Sequence, residues 1–270
     1  MSKLTQRKPA LMLRSGSRPY PGAMKIRAGL ALLVSLLTAP LALAETPCNR
    51  AGEPACMLQA IWEAAAAFPE PRRDRLKPIF LDTVALSGDE ALLSDWQQRL
   101  GGVAAPRAVY PDYAEARAQE ALAAGGWDSF LARARAGEAP FNIGRPEIMA
   151  AGARLAPDGA TRNRVVGAMF DLAAQTNAGK QDVDFERGDF GHVLAELSME
   201  SCDLAAFDRA AALTVEPKGL RYAFWRARIT GDAAGLADRV RREGAGDDTR
   251  FVRAAMEGYG AILSRGYCGE

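Results

Sequence analysis

A chain of 270 residues, 49% hydrophobic and 25% charged, is too apolar to remain disordered and long enough for one large domain or two small ones. Its formal charge of +1 conceals a division, because residues 1–44 hold seven basic residues (Lys3, Arg7, Lys8, Arg14, Arg18, Lys25 and Arg27) and no acidic one. The rest carries 27 basic and 33 acidic residues, a net −6, which argues against a nucleic-acid binder and against lasting attachment to anionic lipid.

The first 23 residues read as an unstructured leader or a misplaced gene start, since Met24 opens a better signal. Met24-Lys25-Ile26-Arg27 gives a positive start and Ala28 to Leu37 an apolar run. Thr38, Ala39 and Pro40 then loosen the helix, and Ala42-Leu43-Ala44 offers the small residues that a signal peptidase reads. Residues 24–44 are therefore expected to be a cleaved signal peptide. The run is too short for a permanent span, which needs about 20 apolar residues. Cys48 follows Thr46-Pro47, so no lipid-attachment pattern is visible. The expected product is soluble, without stable membrane insertion, and periplasmic or secreted.

From there the apolar spacing is helical almost throughout. Leu58, Ile61, Trp62 and Ala65 share one face; Leu92, Leu93, Trp96 and Leu100 share another. Further stripes are Val165, Val166, Met169, Phe170 and Ala173, then Phe190, Val193, Leu194 and Leu197. The last comprises Phe251, Val252, Ala255, Met256, Tyr259, Ile262 and Leu263. Strand-like alternation is missing, and the abundance of alanine, leucine and arginine suits helices. Pro71 fits a helix start, and Pro78 predicts a kink or a restart. Gly101 to Pro106, Gly125-Gly126, Gly137 to Pro146 and Gly179 to Gly188 predict loops. The third of these divides the chain into an N-terminal helical half, 45–137, and a C-terminal half, 138–270.

Four cysteines, Cys48, Cys56, Cys202 and Cys268, lie beyond the signal. An even number in an exported chain reads as disulfides, with three possible connectivities. The favoured pairing is Cys48–Cys56 with Cys202–Cys268, worth roughly 2.5 and roughly 4 kcal/mol in the chain-entropy model. Zinc is the alternative, but no Cys-x-x-Cys spacing occurs and there is one histidine.

A short pattern recurs. Ser87-Gly88-Asp89-Glu90-Ala91-Leu92-Leu93 superposes without gaps on Thr230-Gly231-Asp232-Ala233-Ala234-Gly235-Leu236. Ser201-Cys202-Asp203-Leu204-Ala205-Ala206-Phe207 fits with cysteine in place of glycine. Glycine ends one helix in a left-handed turn, aspartate caps the next, and the leucine or phenylalanine four residues on packs back. Each copy is a helical hairpin with one apolar face to bury. Cys202 to Pro217, with Asp203, Phe207, Ala210, Ala211 and Glu216-Pro217, resembles the second helix of a tetratricopeptide-type repeat. The likeness covers two or three hairpins. Asp203 to Asp232 spans 29 residues rather than about 34, and the tryptophan–leucine–glycine–tyrosine pattern of the first helix is absent. The resemblance implies a curved solenoid of paired helices whose concave face binds protein segments, and it transfers no individual binding residue.

Candidate chemistry is sparse. His192, the lone histidine, lies ten residues before Cys202, so both could share a helix face as base and nucleophile, against the commoner packing histidine. Glu200-Ser201 resembles the catalytic pair of lytic transglycosylases, which would make Glu200 a protonated acid beside a sugar groove. That family's downstream glycine-rich motif is missing, and Cys202-Asp203-Leu204 stands there. Asp182, Asp184, Glu186 and Asp189 form an acidic loop with calcium-like alternate spacing. The loop glycine is Arg187, the twelfth position is Val193, and Asp189 is equally a helix cap for Phe190 onward. Phe141-Asn142-Ile143-Gly144-Arg145-Pro146 is unusually apolar for a loop. With Trp127 upstream, Phe141, Asn142 and Arg145 are candidate partner-binding residues or a plug between helical layers. The clusters Arg72, Arg73, Arg75 and Arg239, Arg241, Arg242 read as solvated helix faces. No phosphate loop, Gly-x-Ser-x-Gly elbow, His-Glu-x-x-His helix or haem-attachment motif occurs.

The expectation is an all-α, right-handed stack of helical hairpins: an α-solenoid of tetratricopeptide type, stapled by two disulfides and needing no cofactor. Function is expected to be that of an exported, non-enzymatic adaptor or scaffold that binds a protein or peptide. The alternatives are a peptidoglycan-acting enzyme of lytic-transglycosylase type, through Glu200 and His192, and a calcium- or small-molecule-binding helical protein.

Overall fold

The computed structural model describes residue 48 and residues 54–103, 113–175, 181–214, 219–246 and 248–269, with the backbone alone over 181–188. The signal-peptide reading of 24–44, the closing Glu216-Pro217 and the stretch 104–112 lie outside these residues. Residues 46–270 belong to one compact unit. Among the described residues there are twelve helices and no strand, so the chain is all-α.

Helices α1 (Pro54–Ala66), α2 (Glu70–Ala85) and α3 (Glu90–Arg99) open the fold. They bury Leu58, Ile61, Leu76, Phe80, Leu81 and Trp96 in one core. Of the expected kink or restart at Pro78, the restart does not occur, because helix α2 continues through it. A helix-interior proline costs about 3 kcal/mol. Leu76, Phe80, Leu81 and Val84, wholly buried on either side of it, each contribute roughly 1.5–3 kcal/mol. Packing therefore outweighs the lost hydrogen bond.

Helices α4 (Tyr113–Ala123), α5 (Gly126–Ala136), α6 (Arg145–Leu155), α7 (Gly159–Gln175), α8 (Gln181–Glu200) and α9 (Leu204–Ala211) follow. They enclose a separate core, core one, that includes Phe130, Phe141, Ile148, Met169, Phe190 and Phe207. The helical backbone of α8 replaces the loop expected up to Gly188, so Asp189 lies within a helix and does not cap one. Gly191, within the same helix, marks a close approach. A Cβ at this position would stand 2.9 Å from Leu213 Cβ and 3.1 Å from the Ala210 carbonyl oxygen. The residue lets α9 approach α8 rather than ending a helix.

The last three helices are α10 (Leu220–Thr230), α11 (Leu236–Gly244) and α12 (Thr249–Arg265). They return to the start of the fold: α1 packs on α11 and α12, and α2 on α12. Core two is thus α1–α3 joined to α10–α12. Helix α10 serves both cores, turning Leu220, Phe224 and Ala227 into one and Tyr222 and Trp225 into the other. It lies closest to α12 at Gly258, where a Cβ would come within 2.8 Å of Phe224 Cβ and 3.0 Å of Arg221 Cα. Of the expected α12 stripe, Phe251 is exposed while Val252 to Ile262 are buried as spaced.

The recurring corners are distinct in the backbone. Gly88, Cys202 and Gly231 have φ of 69°, 59° and 71°, and Cys202 is the one described non-glycine residue in that region. Asp89 and Asp203 cap α3 and α9, accepting from Leu92 N at 3.0 Å and Ala206 N at 2.9 Å. The third copy diverges. Asp232 accepts from Ala234 N two residues on, and α11 starts after Gly235. The cysteines lie at disulfide distance as Cys48–Cys56 and Cys202–Cys268, each pair with Cα atoms 5.7 Å apart.

Candidate functional site

Because α10 divides the two cores, each of its remaining sides borders a cleft. Arg221, Trp225 and Arg228, one and two turns apart, face α8 and α12. Together with His192, Glu196 and Met199 on α8, and Glu257, Gly260 and Arg265 on α12, Arg221 and Trp225 line a cleft of about 400 Å³. His192 sits on Trp225 with ring centroids 5.3 Å apart. Its Nδ1 is 3.1 Å from Tyr222 Oη, and Arg221 Nη1 approaches Nε2 at 3.4 Å. A guanidinium can only donate, so Nε2 holds the lone pair and Nδ1 carries the proton given to the phenol. Burial, and then the charge of Arg221, lower the imidazole pKa to about 4. The neutral ring is thus engaged at both nitrogens by neighbouring residues of α10. Its suggested partner, Cys202, is paired with Cys268.

Glu200 is equally committed. It accepts from Arg154 Nε at 3.1 Å and Arg265 Nη2 at 3.2 Å, with its side chain only 10% exposed. These ion pairs tie the end of α8 to α6 and α12. The surrounding arginines belong to the end of α8: Arg162 Nη2 donates to the Leu197 carbonyl at 3.0 Å and Arg228 Nη1 to the Met199 carbonyl. Cations there satisfy the last carbonyls and oppose the helix dipole.

On its other side α10 meets α9 and the start of α11 in a groove of about 680 Å³. Phe207 and Ala211 of α9 form one wall, and Tyr222, Ala223 and Ala227 the floor. Both signs of charge stand on the rim: Asp208 paired with Arg226, then Asp232 and Arg239, the last 2.6 Å from Glu243.

The loop 137–146 divides its predicted residues. Phe141 is 2% exposed and meets Phe130 edge-on at 4.9 Å, and Trp127 stands 5.7 Å from Phe130. It is a plug, and the residue offered to solvent is Ile143, 68% exposed. Asn142 and Arg145 line a hollow of about 460 Å³ that also takes in Glu147 and the exposed Asp189. Arg145 Nη1 donates to the Ala134 carbonyl at 3.3 Å and its guanidinium stands 5.9 Å from the Phe190 ring. Of the acidic set, the side chains of Asp182, Asp184 and Glu186 lie outside the described residues. Among the described residues no three His, Cys, Asp or Glu side chains are placed to hold a metal ion, and no helix is long and apolar enough to cross a membrane.

Comparison with known proteins finds no family model, no curated relative and no solved structure that matches this chain. The α10 residues that organise both clefts escaped the sequence reading. Their signal was present in Leu220 to Thr230, where Leu220, Phe224 and Ala227 repeat at helical spacing beside a second set, Arg221, Trp225 and Arg228. Two such stripes mean a helix covered on two sides.

Proposed function

We propose that this chain is an exported, non-enzymatic binding protein that holds an extended peptide or protein segment in the groove between α9, α10 and the start of α11. The observation that carries the reading is that groove. Its volume falls within the range of about 300–1,000 Å³ typical of ligand sites. The small side chains of Ala223 and Ala227 in the floor admit a backbone closely, and Phe207 and Tyr222 with both signs of charge on the rim suit a peptide's mixed polarity. Its wall α9 is also the segment that resembles a tetratricopeptide-type helix, whose paired helices bind protein segments. The engagement of His192 and the ion pairs of Glu200 favour binding over catalysis. The arginine-rich, apolar leader and the net −6 beyond it support export and a partner other than nucleic acid.

A photo-crosslinking side chain at Thr230 or Asp232, on the groove, should yield adducts in the native host. The same probe at exposed Ser94 on α3 should not, and Ala223→Trp, which fills the floor, should abolish those at Thr230. Adducts of equal yield from both faces would remove the groove reading. For export, the N-terminal residue of protein recovered from the extracytoplasmic fraction should be Glu45. An intact leader on cytosolic protein would remove that half of the proposal.

A further inference from the structure

The Cys202–Cys268 pair has surroundings that a structural staple does not need. Cys202 occupies the left-handed corner that its counterparts fill with Gly88 and Gly231. A non-glycine residue there costs about 1–3 kcal/mol, and Asp203 already supplies the cap. What cysteine adds is its sulfur. Behind the bond lies Arg228, a residue only 5% exposed. Its Nη1 donates to the Met199 carbonyl and lies 3.2 Å from Cys268 Sγ and 3.6 Å from Cys202 Sγ, while its buried Nε has no hydrogen-bond partner. Burying a charge without full pairing is costly, and a neutral disulfide returns little of that cost. A thiolate would return more, as a charge-assisted acceptor in place of a weak neutral one.

We propose that Cys202–Cys268 is a site of reversible thiol–disulfide exchange with a dithiol reductant, and that Arg228 positions and stabilises the leaving thiolate. Cys202 is the exposed member. A thiolate of the dithiol attacks Cys202 Sγ, and the electron pair of the broken S–S bond goes to Cys268 Sγ, beside Arg228. The second thiol of the reductant, deprotonated to solvent, then attacks the mixed disulfide and releases Cys202. Two protons from solvent replace the two that the dithiol lost, so that a dithiol and a disulfide become a disulfide and a dithiol. Arg228 of α10 is the charged group at the sulfurs, and it feels Arg265 from α12 and Glu200 from α8, the latter offsetting part of the positive charge. The partner pair differs, because Cys48 is itself buried at 5% exposure. Opening the bond would free Cys268, whose backbone N–H donates to the Arg228 carbonyl at 2.9 Å.

The test uses the full native chain, dithiothreitol as the dithiol, and alkylation mapped by mass spectrometry. At pH 7, Cys202 and Cys268 should open on the order of tenfold faster than Cys48 and Cys56. Accessibility alone could cause that, so two further readouts decide. Arg228→Gln should slow opening roughly tenfold while Arg228→Lys keeps most of the rate. The alkylation profile of Cys268 in the reduced native protein should lie about one pH unit below that in urea, a comparison that needs no variant. Equal opening of both pairs, an unchanged rate in Arg228→Gln, or coincident native and unfolded profiles would each overturn the proposal.

Discussion

The two cores of this molecule are assembled in opposite ways. Core one is built from consecutive helices, α4 to α9, each lying on a near neighbour in the chain. Core two joins α1–α3 to α10–α12, so Arg241 on α11 pairs at 3.0 Å with Glu63 on α1, 178 residues away. The first can gather locally. The second bears the entropy of closing a long loop before its contacts return anything. What unites them is α10, whose two stripes belong to different cores, and the Cys202–Cys268 tie, which runs from the α8–α9 corner to the tail beyond α12. Stability of the distant core is therefore expected to depend on α10 more than on any single helix of the local one.

Phe224→Ala is the severest break. Its wholly buried ring packs 5.6 Å from Tyr259 in core two, and its removal should cost about 3–5 kcal/mol. Phe130→Ala, as deeply buried in core one, should cost a similar amount. The informative result is cooperativity: in urea, tryptophan fluorescence and far-ultraviolet circular dichroism should give coincident transitions in both variants. Separate transitions in Phe224→Ala alone would mean that α10 does not couple the cores.

The His192 wiring between α8 and α10 gives a pH dependence. Its pKa falls from the ordinary 6.5 to about 4 in the folded chain. The unfolded chain therefore binds a proton that the folded one refuses. Stability from this residue is complete above pH 6.5 and is lost as the pH falls toward 4, by up to ~3 kcal/mol. Urea titrations at pH 7.5, 5.5 and 4.5 should show that loss shrinking in His192→Gln. Parallel curves for the two proteins would dissolve the link.

Where α10 meets α12 the approach is set by Gly258, and Gly258→Ala should cost about 1–3 kcal/mol, since the obstacle is the Arg221 backbone. Gly167→Ala on α7 is the control. Nothing stands within 4 Å of a Cβ there, so the chain should gain roughly 0.5–1 kcal/mol. Thermal melts that move the two variants the same way would refute the close-contact reading.

Periodicity made the helices legible because burial imposes it: Leu58, Ile61, Phe190 and Leu194 are spaced as they are because each faces a core. It says which side of a helix is covered and not by what, so the meeting of α1 with α11 and α12 was invisible. Proline misled for a related reason. Pro78 is a breaker in an isolated helix, yet packing lets α2 run through it. The corners were legible because their chemistry is local, a left-handed residue followed by a capping aspartate. The buried Arg228 was not, since nothing in a sequence distinguishes a guanidinium drawn inside from one on the surface.

The smallest effect separates the corners themselves. Asp203→Ala and Asp89→Ala each remove one cap bond, to Ala206 N and Leu92 N, and each should cost about 1 kcal/mol by urea denaturation. The corners differ in what else holds them, because Cys202 is tied across 66 residues to Cys268 whereas Gly88 has no such bond. With the tie intact, the α8–α9 corner stays restrained when its cap is gone. Once Cys268→Ser opens the tie, α9 depends on Asp203 alone for its start, and the penalty of Asp203→Ala should rise while that of Asp89→Ala stays fixed. A double-mutant cycle reads the difference directly as a coupling of roughly 0.5 kcal/mol or more. Zero coupling would mean that the cap and the cystine hold α9 independently, and that the cysteine at this corner serves the tail rather than the turn.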